Sequence, residues 1–315
     1  MKAPYFIILV MFSAYSLHAA DTTETTKAKW IFEGFFQQNL NQVNFTNWAA
    51  GGENSFSSTS KARLSLNFED EDFNMQNYID LSYGIVKLQD SPMRKNTDKM
   101  DVFSKAGKNL TPKTSFTGIF NYVSQFDKGY NYPNDSVLVS RFMAPGYLTI
   151  ALGFDFKPYD FLSIFVSPST GKFTFVLDQD LANAGAFGVD PAEFDQDGIL
   201  IKEGRRVNPE FGSFLRVEFK KEVLTNVKVN SRVTLFNNYT DSDVRNRKNS
   251  DVDWLTNINM TINRYITASI DFHLIYDNDI LIPKYEVIEG EQVEVGRRPT
   301  TQIMNAFGLG LVYSF

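Results

Sequence analysis

The sequence of 315 residues contains no cysteine and only two histidines. The absence of cysteine excludes a disulfide framework, a thiolate zinc site and a cysteine nucleophile. Basic residues do not exceed acidic ones, with 31 Lys and Arg against 37 Asp and Glu and a net charge of -6 at pH 7. This balance argues against nucleic acid as a partner. Beyond residue 20, no apolar run approaches the roughly 18 residues that a transmembrane helix requires.

Aromatic residues, by contrast, are abundant. They make up 15% of the chain, with 29 Phe and 14 Tyr, while 43% of all residues are hydrophobic. This composition is too apolar and too aromatic for a disordered chain. The length allows one large all-β domain or two domains of ordinary size.

The first residues have the pattern of a secretory signal. Lys2 provides a short basic start, an apolar run follows from Tyr5 to Tyr15, and small residues occur at Ala19 and Ala20. The apolar run is too short to span a bilayer. We therefore predict a signal peptide at residues 1–20 and a single domain at residues 21–315.

The rest of the sequence alternates between apolar and polar residues with a period of two. In residues 252–262, Val252, Trp254 and Ile258 lie on one face, whereas Asp253 and Asn257 lie on the other. Side chains alternate across a strand in the same way. These runs are about 10 to 14 residues long, whereas strands of soluble sandwiches usually have about five or six. The longer length is typical of tilted strands that cross a membrane.

We predict an all-β transmembrane antiparallel barrel of about 12 strands, with 10 or 14 as alternatives. The predicted strands are 30–43, 54–68, 73–87, 99–109, 114–127, 146–156, 161–177, 211–220, 226–240, 250–263, 265–277 and 303–315. Short turns alternate with long loops along the chain, which is typical of barrels with short periplasmic turns and long extracellular loops. The expected location is the outer membrane of a Gram-negative bacterium, with membrane lipid as a partner. The terminal Phe315 closes an apolar strand and resembles the signal by which the barrel-assembly machinery recognises such proteins.

Four segments also carry a resemblance to a known family. They are residues 47–56 (NWAAGGENSF), 81–85 (LSYGI), 129–133 (GYNYP) and 180–188 (DLANAGAFG). Together they resemble a Bacteroidota family catalogued as domain of unknown function 3078. The resemblance implies an outer-membrane setting and assigns no activity, catalytic residue or ligand.

The polar faces of the predicted strands would line the barrel lumen. The charged and titratable candidates are Lys61, Arg63, Asp80, Arg216, Glu218, Arg232, Asp253, Asp271 and His273. Their mixed signs fit either a weakly selective water-filled pore or an interior cross-linked by ion pairs. The loop at 178–210 is apolar enough to be a plug, and a lid over the mouth is the equal alternative. The leading hypothesis is a passive or gated pore for small polar solutes.

Two other functions remain as alternatives. The first is a non-conducting structural or assembly component that binds another envelope protein through its long loops and a surface motif. This motif consists of Trp48, Gly51, Gly52, Glu53 and Asn54. The second is an envelope hydrolase, because Asp271 and His273 share a polar face and could meet. Alternation produces this spacing on any lumen-facing strand, so no catalytic residue is assigned.

The acidic loop at residues 190–198 clusters oxygen ligands like the first half of a calcium loop. The second half of the motif is missing, so the loop is interpreted as a solvated surface segment. No metal or cofactor is assigned.

Overall fold

Twelve antiparallel strands close into one barrel in the computed structural model of this chain. The structure describes residues 29–44, 53–89, 91–132, 135–288 and 291–315. The predicted signal peptide at 1–20 and the motif residues Trp48, Gly51 and Gly52 lie outside the described residues. No helix in the described ranges is long and apolar enough to cross a membrane.

The barrel strands are numbered here in chain order. They are β1 Lys29–Val43, β2 Ser55–Glu69, β3 Phe73–Leu88, β4 Arg94–Thr111, β5 Thr114–Ser124, β6 Gly146–Tyr159, β7 Leu162–Phe175, β8 Val207–Leu224, β9 Val227–Asn238, β10 Asp251–Thr261, β11 Ile266–Tyr276 and β12 Gln302–Ser314. Each strand pairs with its neighbours in the chain, and β1 pairs with β12 from Phe35↔Ser314 to Asn39↔Gly310. The predicted fold class and strand number are therefore confirmed.

Two strands begin several residues earlier than predicted. β4 begins at Arg94 rather than near 99, and β8 begins at Val207 rather than near 211. The residues added to β4 are all charged or polar, so they lack the apolar alternation from which strands were predicted. Those added to β8 include Pro209, and a proline inside a run argues against a strand. Cross-strand pairing holds these residues in the sheet, since Arg94 is opposite Val86 and Val207 is opposite Phe175.

The two ends of the barrel differ in their connections. At the short-turn end, residues 70–72, 112–113, 160–161, 225–226 and 262–265 link successive strands. At the long-loop end, the connections contain small elements of their own that the sequence did not predict. They are hairpins at 129–130 with 138–140, 193–194 with 200–202 and 281–288 with 291–299, a helix at Gln179–Asn183 and short 3-10 turns at Ala186–Gly188 and Asn246–Lys248.

The loop at 176–206 covers the long-loop end. Its residues Val176, Leu181, Ala182 and Val189 form an apolar cluster with Ala144 of the neighbouring loop. The side chain of Asn208, at the start of β8, donates a hydrogen bond to the carbonyl of Gly188 at 3.2 Å. These contacts hold the segment at the long-loop end, and we refer to it below as the lid.

The outer surface of the barrel is apolar. Large hydrophobic side chains point outward with a third to two-thirds of their area exposed, among them Phe32, Leu64, Ile79, Phe154 and Leu311. Removal of such a belt from water would release free energy at about 25 cal/mol per Å². A continuous belt of this kind marks a surface that is covered in the working protein.

Candidate functional site

Charged residues that the sequence predicted for the lumen form ion pairs with one another. Lys61 on β2 forms an ion pair with Asp271 on β11, with 2.6 Å between Nζ and Oδ2. In the ring, β1 and β12 separate these two strands, so only side chains that point inward can meet. Arg63 and Asp80 pair on the adjacent strands β2 and β3.

The interior is bridged across its full width. Tyr78 on β3 and Arg232 on β9 lie six strands apart in either direction around the ring. The Nη1 of Arg232 nevertheless donates a hydrogen bond to the phenolic oxygen of Tyr78 at 3.1 Å. Nη2 of Arg216 lies 3.4 Å from the same oxygen. We call the layer formed by Tyr78, Asp101, Phe103, Arg216 and Arg232 the waist.

Charges at the waist are compensated. Nη2 of Arg216 is 2.7 Å from Oε1 of Glu218, and its guanidinium lies over the ring of Phe103 at 4.1 Å from the centroid. Nη1 of Arg232 is 3.8 Å from Asp101 Oδ2. Arg216 and Asp101 are at most 2% exposed. A charge buried to this extent is tolerated only when it is paired and hydrogen-bonded.

An apolar cluster lies beside the waist, inside the barrel. It consists of Tyr78, Phe103, Ile119, Ala151 and Phe165, with Phe214 packed against it. These residues come from six consecutive strands, β3 to β8. The sequence did not reveal this cluster, because the lumen-facing positions were identified by their polarity. An aromatic residue at a polar-face position, such as Tyr78 beside Asp80, was the available signal.

The opposite part of the wall leaves room for water. Lys61, Asp80, Asp253 and Asp271 point inward, yet their side chains are between 22% and 39% exposed. Exposure inside a closed barrel requires water-sized space beside these groups. At the waist the interior is therefore packed along β4 to β8 and partly open along β10, β11 and β2, with β3 at the boundary between the two parts.

The structure does not bring Asp271 and His273 together. Nε2 of His273 lies 3.1 Å from Oδ2 of Asp253 on β10, while Asp271 contacts Lys61 and accepts a hydrogen bond from Asn257 at 2.5 Å. Within the described ranges, no serine or threonine hydroxyl hydrogen-bonds to His273. Residues two apart on one strand face are about 6.6 Å apart, whereas cross-strand neighbours are closer.

A cavity of about 440 Å³ lies on the short-turn side of the waist. Arg63, Tyr78, Lys105 and Glu218 are among its lining residues, together with Lys157 and with Phe161 of the β6–β7 turn. We call it the inner cavity. Its volume is within the range of small-molecule sites, roughly 300–1,000 Å³.

The long-loop end has an acidic character. Nζ of Lys172 lies 2.7 Å from Asp251, 3.4 Å from Asp277 and 3.5 Å from Glu210, so one ammonium group serves three carboxylates. In the neighbouring loop, burial together with the charges of Asp277 and Asp251 raises the pKa of Asp279 to about 6. The mouth under the lid is thus crowded with negative charge at neutral pH.

The predicted surface motif and the acidic loop form few side-chain contacts among the described residues. Glu53 and Asn54 precede β2, where the backbone amide of Asn54 donates to Gln89 Oε1 at 3.2 Å. In the acidic loop, Oδ1 of Asp195 accepts the backbone N–H groups of Asp197 and Ile199, which shapes a turn. In the part of the chain that the structure describes, no three acidic or imidazole groups are placed to hold a metal ion.

Comparisons with known proteins agree with the resemblance over part of the chain. A family described as "Protein of unknown function (DUF3078)" matches residues 40–130, which include the end of β1 and all of β2 to β5. The resemblance drawn from the sequence is confirmed for this segment, and the motif at 180–188 lies beyond it. No curated protein matches the sequence.

Several solved structures are similar in arrangement. The translocator domain of the autotransporter NalP from Neisseria meningitidis has 8% identity and a TM-score of 0.38, with 93% of this chain and 90% of that chain covered. An outer membrane channel from Pseudomonas putida F1 has 9% identity and a TM-score of 0.39, with 93% and 97% covered. The outer membrane channel DcaP of Acinetobacter baumannii has 10% identity and a TM-score of 0.31, with 94% and 100% covered. The barrel assignment depends on the strand pairing of this chain itself.

Proposed function

We propose that the protein is a gated pore for small polar solutes in the outer membrane of a Gram-negative bacterium, and that this structure is its closed state. The observation that carries the proposal is the hydrogen bond between Tyr78 and Arg232 across the barrel, with water-sized space beside it. Both termini of the barrel lie at the short-turn end, which we assign to the periplasm.

The membrane setting is supported by the surface and by strand length. Barrel strands have between 11 and 18 residues, enough to cross a bilayer at a tilt. Exposed aromatic side chains lie toward both ends of the outer face, with Tyr83 and Trp254 near the long loops and Phe73 and Tyr313 near the short turns. Amphipathic rings are favoured at the two membrane–water interfaces.

The side-chain contacts that close the waist support gating. The contact between Tyr78 and Arg232 is made by their side chains alone. A hydrogen bond to a charged group contributes about 1.5–3 kcal/mol. A difference of this size keeps a second conformation populated at roughly 0.1–10%. Rotation of the Arg232 side chain toward Asp253, 3.9 Å away, would release its hydrogen bond to Tyr78 without any strand movement.

Liposome permeation tests the proposal. The chain without residues 1–20 is refolded into liposomes, and uptake of small neutral sugars is compared with that of the double variant Tyr78→Ala/Arg232→Ala. The proposal expects slow uptake by the wild type and at least tenfold faster uptake by the variant. If the folded variant takes up no more sugar than empty liposomes, the pore proposal is wrong.

A non-conducting structural component is the second candidate. The apolar cluster of Phe103, Phe165 and their neighbours favours this candidate. A barrel interior packed like a protein core stabilises the barrel but leaves no room for a solute to pass. The partner in this case would bind the long loops. This candidate predicts that waist variants lose stability and remain impermeable.

We also propose that assembly uses the C-terminal strand. Phe315 is exposed on the outer face, and its backbone exchanges two hydrogen bonds with Gly34, at 2.9 and 3.0 Å. Phe315 thus extends the seam between β1 and β12. The barrel-assembly machinery is the expected partner of this strand, and no catalytic role is assigned to His273.

A further inference from the structure

We propose that the inner cavity is a binding site for a small oxyanion, such as a phosphate or carboxylate group of a polar solute, that enters from the short-turn end. The proposal goes beyond the pore function, because binding at this place does not require the waist to open. It follows from three lysines on one wall of the cavity.

The lysines come from separate strands and converge. Lys105 on β4, Lys157 on β6 and Lys220 on β8 all line the cavity. The charge of Lys105 interacts with that of Lys157, and the charge of Lys220 interacts with that of Lys105, so the three ammonium groups lie within electrostatic range. We call them the lysine wall.

Most carboxylates near this wall are already engaged. Asp155 lies 2.8 Å from Nζ of Lys105, and Glu218 lies 2.7 Å from Arg216. Among the described residues, Lys157 and Lys220 form no ion pair. Both are exposed, and both face the cavity. The charge of Glu218 acts on Lys220, but its carboxylate is bonded to Arg216, so no carboxylate of the described residues contacts the ammonium group of Lys157 or Lys220 directly. Like charges held together without a contact ion pair favour the binding of an anion.

The remaining acids restrict what can bind. Asp160 lies in the turn at the mouth, and Glu33 lines the opposite wall on β1. The charges of Arg216 and Glu218 cancel each other. The three positive charges of the lysine wall then exceed the two negative charges of Asp155 and Asp160, which leaves one net positive charge on the wall. A compact anion that contacts Lys157 and Lys220 gains from this excess and stays away from Glu33.

Hydrogen-bonding groups complete the site. Ser65, Gln76, Ser163 and Asn230 line the same cavity and can bind the hydroxyl groups or further oxygens of a solute. Ser163 already connects the wall, because Nζ of Lys105 donates to its hydroxyl at 3.0 Å and that hydroxyl donates to Asp155 at 2.6 Å. These contacts hold Lys105 in place and leave Lys157 and Lys220 to the ligand.

Titration calorimetry with inorganic phosphate, at constant ionic strength, tests the site in the full barrel refolded in detergent. We expect saturable binding that weakens about tenfold in Lys220→Gln and in Lys157→Gln, because each removes one charged hydrogen bond. Lys113→Gln is the matched control, since it removes the same charge from an exposed turn at the same end but outside the cavity. Glucose serves as the neutral probe.

The outcomes separate this proposal from the pore function. Saturable phosphate binding that the two cavity variants weaken and Lys113→Gln leaves within twofold supports the site, whether or not the barrel conducts. Binding that is absent, or equal in all variants, overturns it. Circular dichroism of each variant shows whether the barrel has folded. Because Lys220→Arg retains the positive charge, its affinity for phosphate should be within about threefold of the wild type.

Discussion

Tyr78 and Arg232 meet at 3.1 Å although their strands lie on opposite sides of the twelve-stranded ring. Such a contact requires two long side chains to reach the centre of the barrel from both walls. Since Arg216 bonds to the same phenolic oxygen, one tyrosine organises two guanidinium groups from β8 and β9. The waist is thus specified by side chains alone.

Loss of one partner of the buried ion pair should destabilise the barrel strongly. Arg216→Met leaves Glu218 buried without its cation, and we expect the free energy of unfolding to fall by about 3–5 kcal/mol. Denaturant unfolding in lipid vesicles measures this change. Lys202→Met is the control, because its pair with Glu193 is exposed and should contribute less than about 1 kcal/mol. The double variant Arg216→Met/Glu218→Leu should recover most of the loss; no recovery would contradict the account of the pair.

Closure of the barrel should depend on a glycine at the seam. A Cβ atom at Gly310 would meet the backbone oxygen of Gln38 and the side chain of Asn39 on β1. We therefore expect Gly310→Ala to reduce the yield of folded barrel severalfold in refolding assays followed by gel mobility. Gly118→Ala is the control, since the nearest atom there belongs to the flexible Leu152 side chain at 3.3 Å. Equal yields for both variants would show that the seam tolerates the extra atom.

Order at the long-loop end should increase in mild acid. The pKa of Asp279 is raised from 3.8 to about 6, mainly by burial and then by the negative charges of Asp277, Asp251 and Asp241. The positive charge of Lys172 lowers this pKa and offsets part of the increase. The folded state therefore binds this proton more tightly than the unfolded state, so stability decreases as pH rises from about 4 to about 6 and stays lower above it. Because Gly188 of the lid lies against Asp279, the lid should respond.

Hydrogen exchange of residues 176–206, corrected for intrinsic rates, measures that response. We expect greater protection at about pH 5 than at about pH 7.5, and a smaller difference in Asp279→Asn, whose neutral side chain mimics the protonated acid. Asp243→Asn, in an exposed loop, is the control. An unchanged pH response in Asp279→Asn would assign the effect to other groups.

Cysteine labelling should distinguish the inner and outer faces. The native chain has no cysteine, so single substitutions report one position each. Variants at Asp80 and Asp271 should react with water-soluble reagents, because these side chains reach water inside the barrel. Variants at Leu81 and Phe272, on the alternate face, should react only with lipid-soluble reagents in proteoliposomes. The reverse pattern would mean that the apolar face is the buried one.

The sequence predicted the barrel well because alternation carries most of the fold. Runs such as 252–262 and 266–276 define which residues share a face, and the structure pairs Val252–Thr261 with residues 267–276 as expected. Strand ends without alternation, such as residues 94–98, could not be predicted, because only their cross-strand partners hold them in the sheet.

The interior contacts were much less predictable. The alternation of side chains along a strand predicts that Asp253, Asp271 and His273 share the inner face. It does not predict that His273 contacts Asp253 instead of Asp271. That choice depends on strand register. The bridge from Tyr78 to Arg232 depends on ring closure and on barrel width, neither of which a local pattern contains.

Single-channel recording in planar bilayers tests the central claim most directly. Tyr78→Phe removes only the phenolic oxygen that Arg232 and Arg216 share, and Tyr313→Phe makes the same change on the outer face. The account predicts rare openings in the wild type and in Tyr313→Phe, and an open probability several times higher in Tyr78→Phe. Equal behaviour of all three folded proteins, whether open or silent, would contradict a gate at the waist.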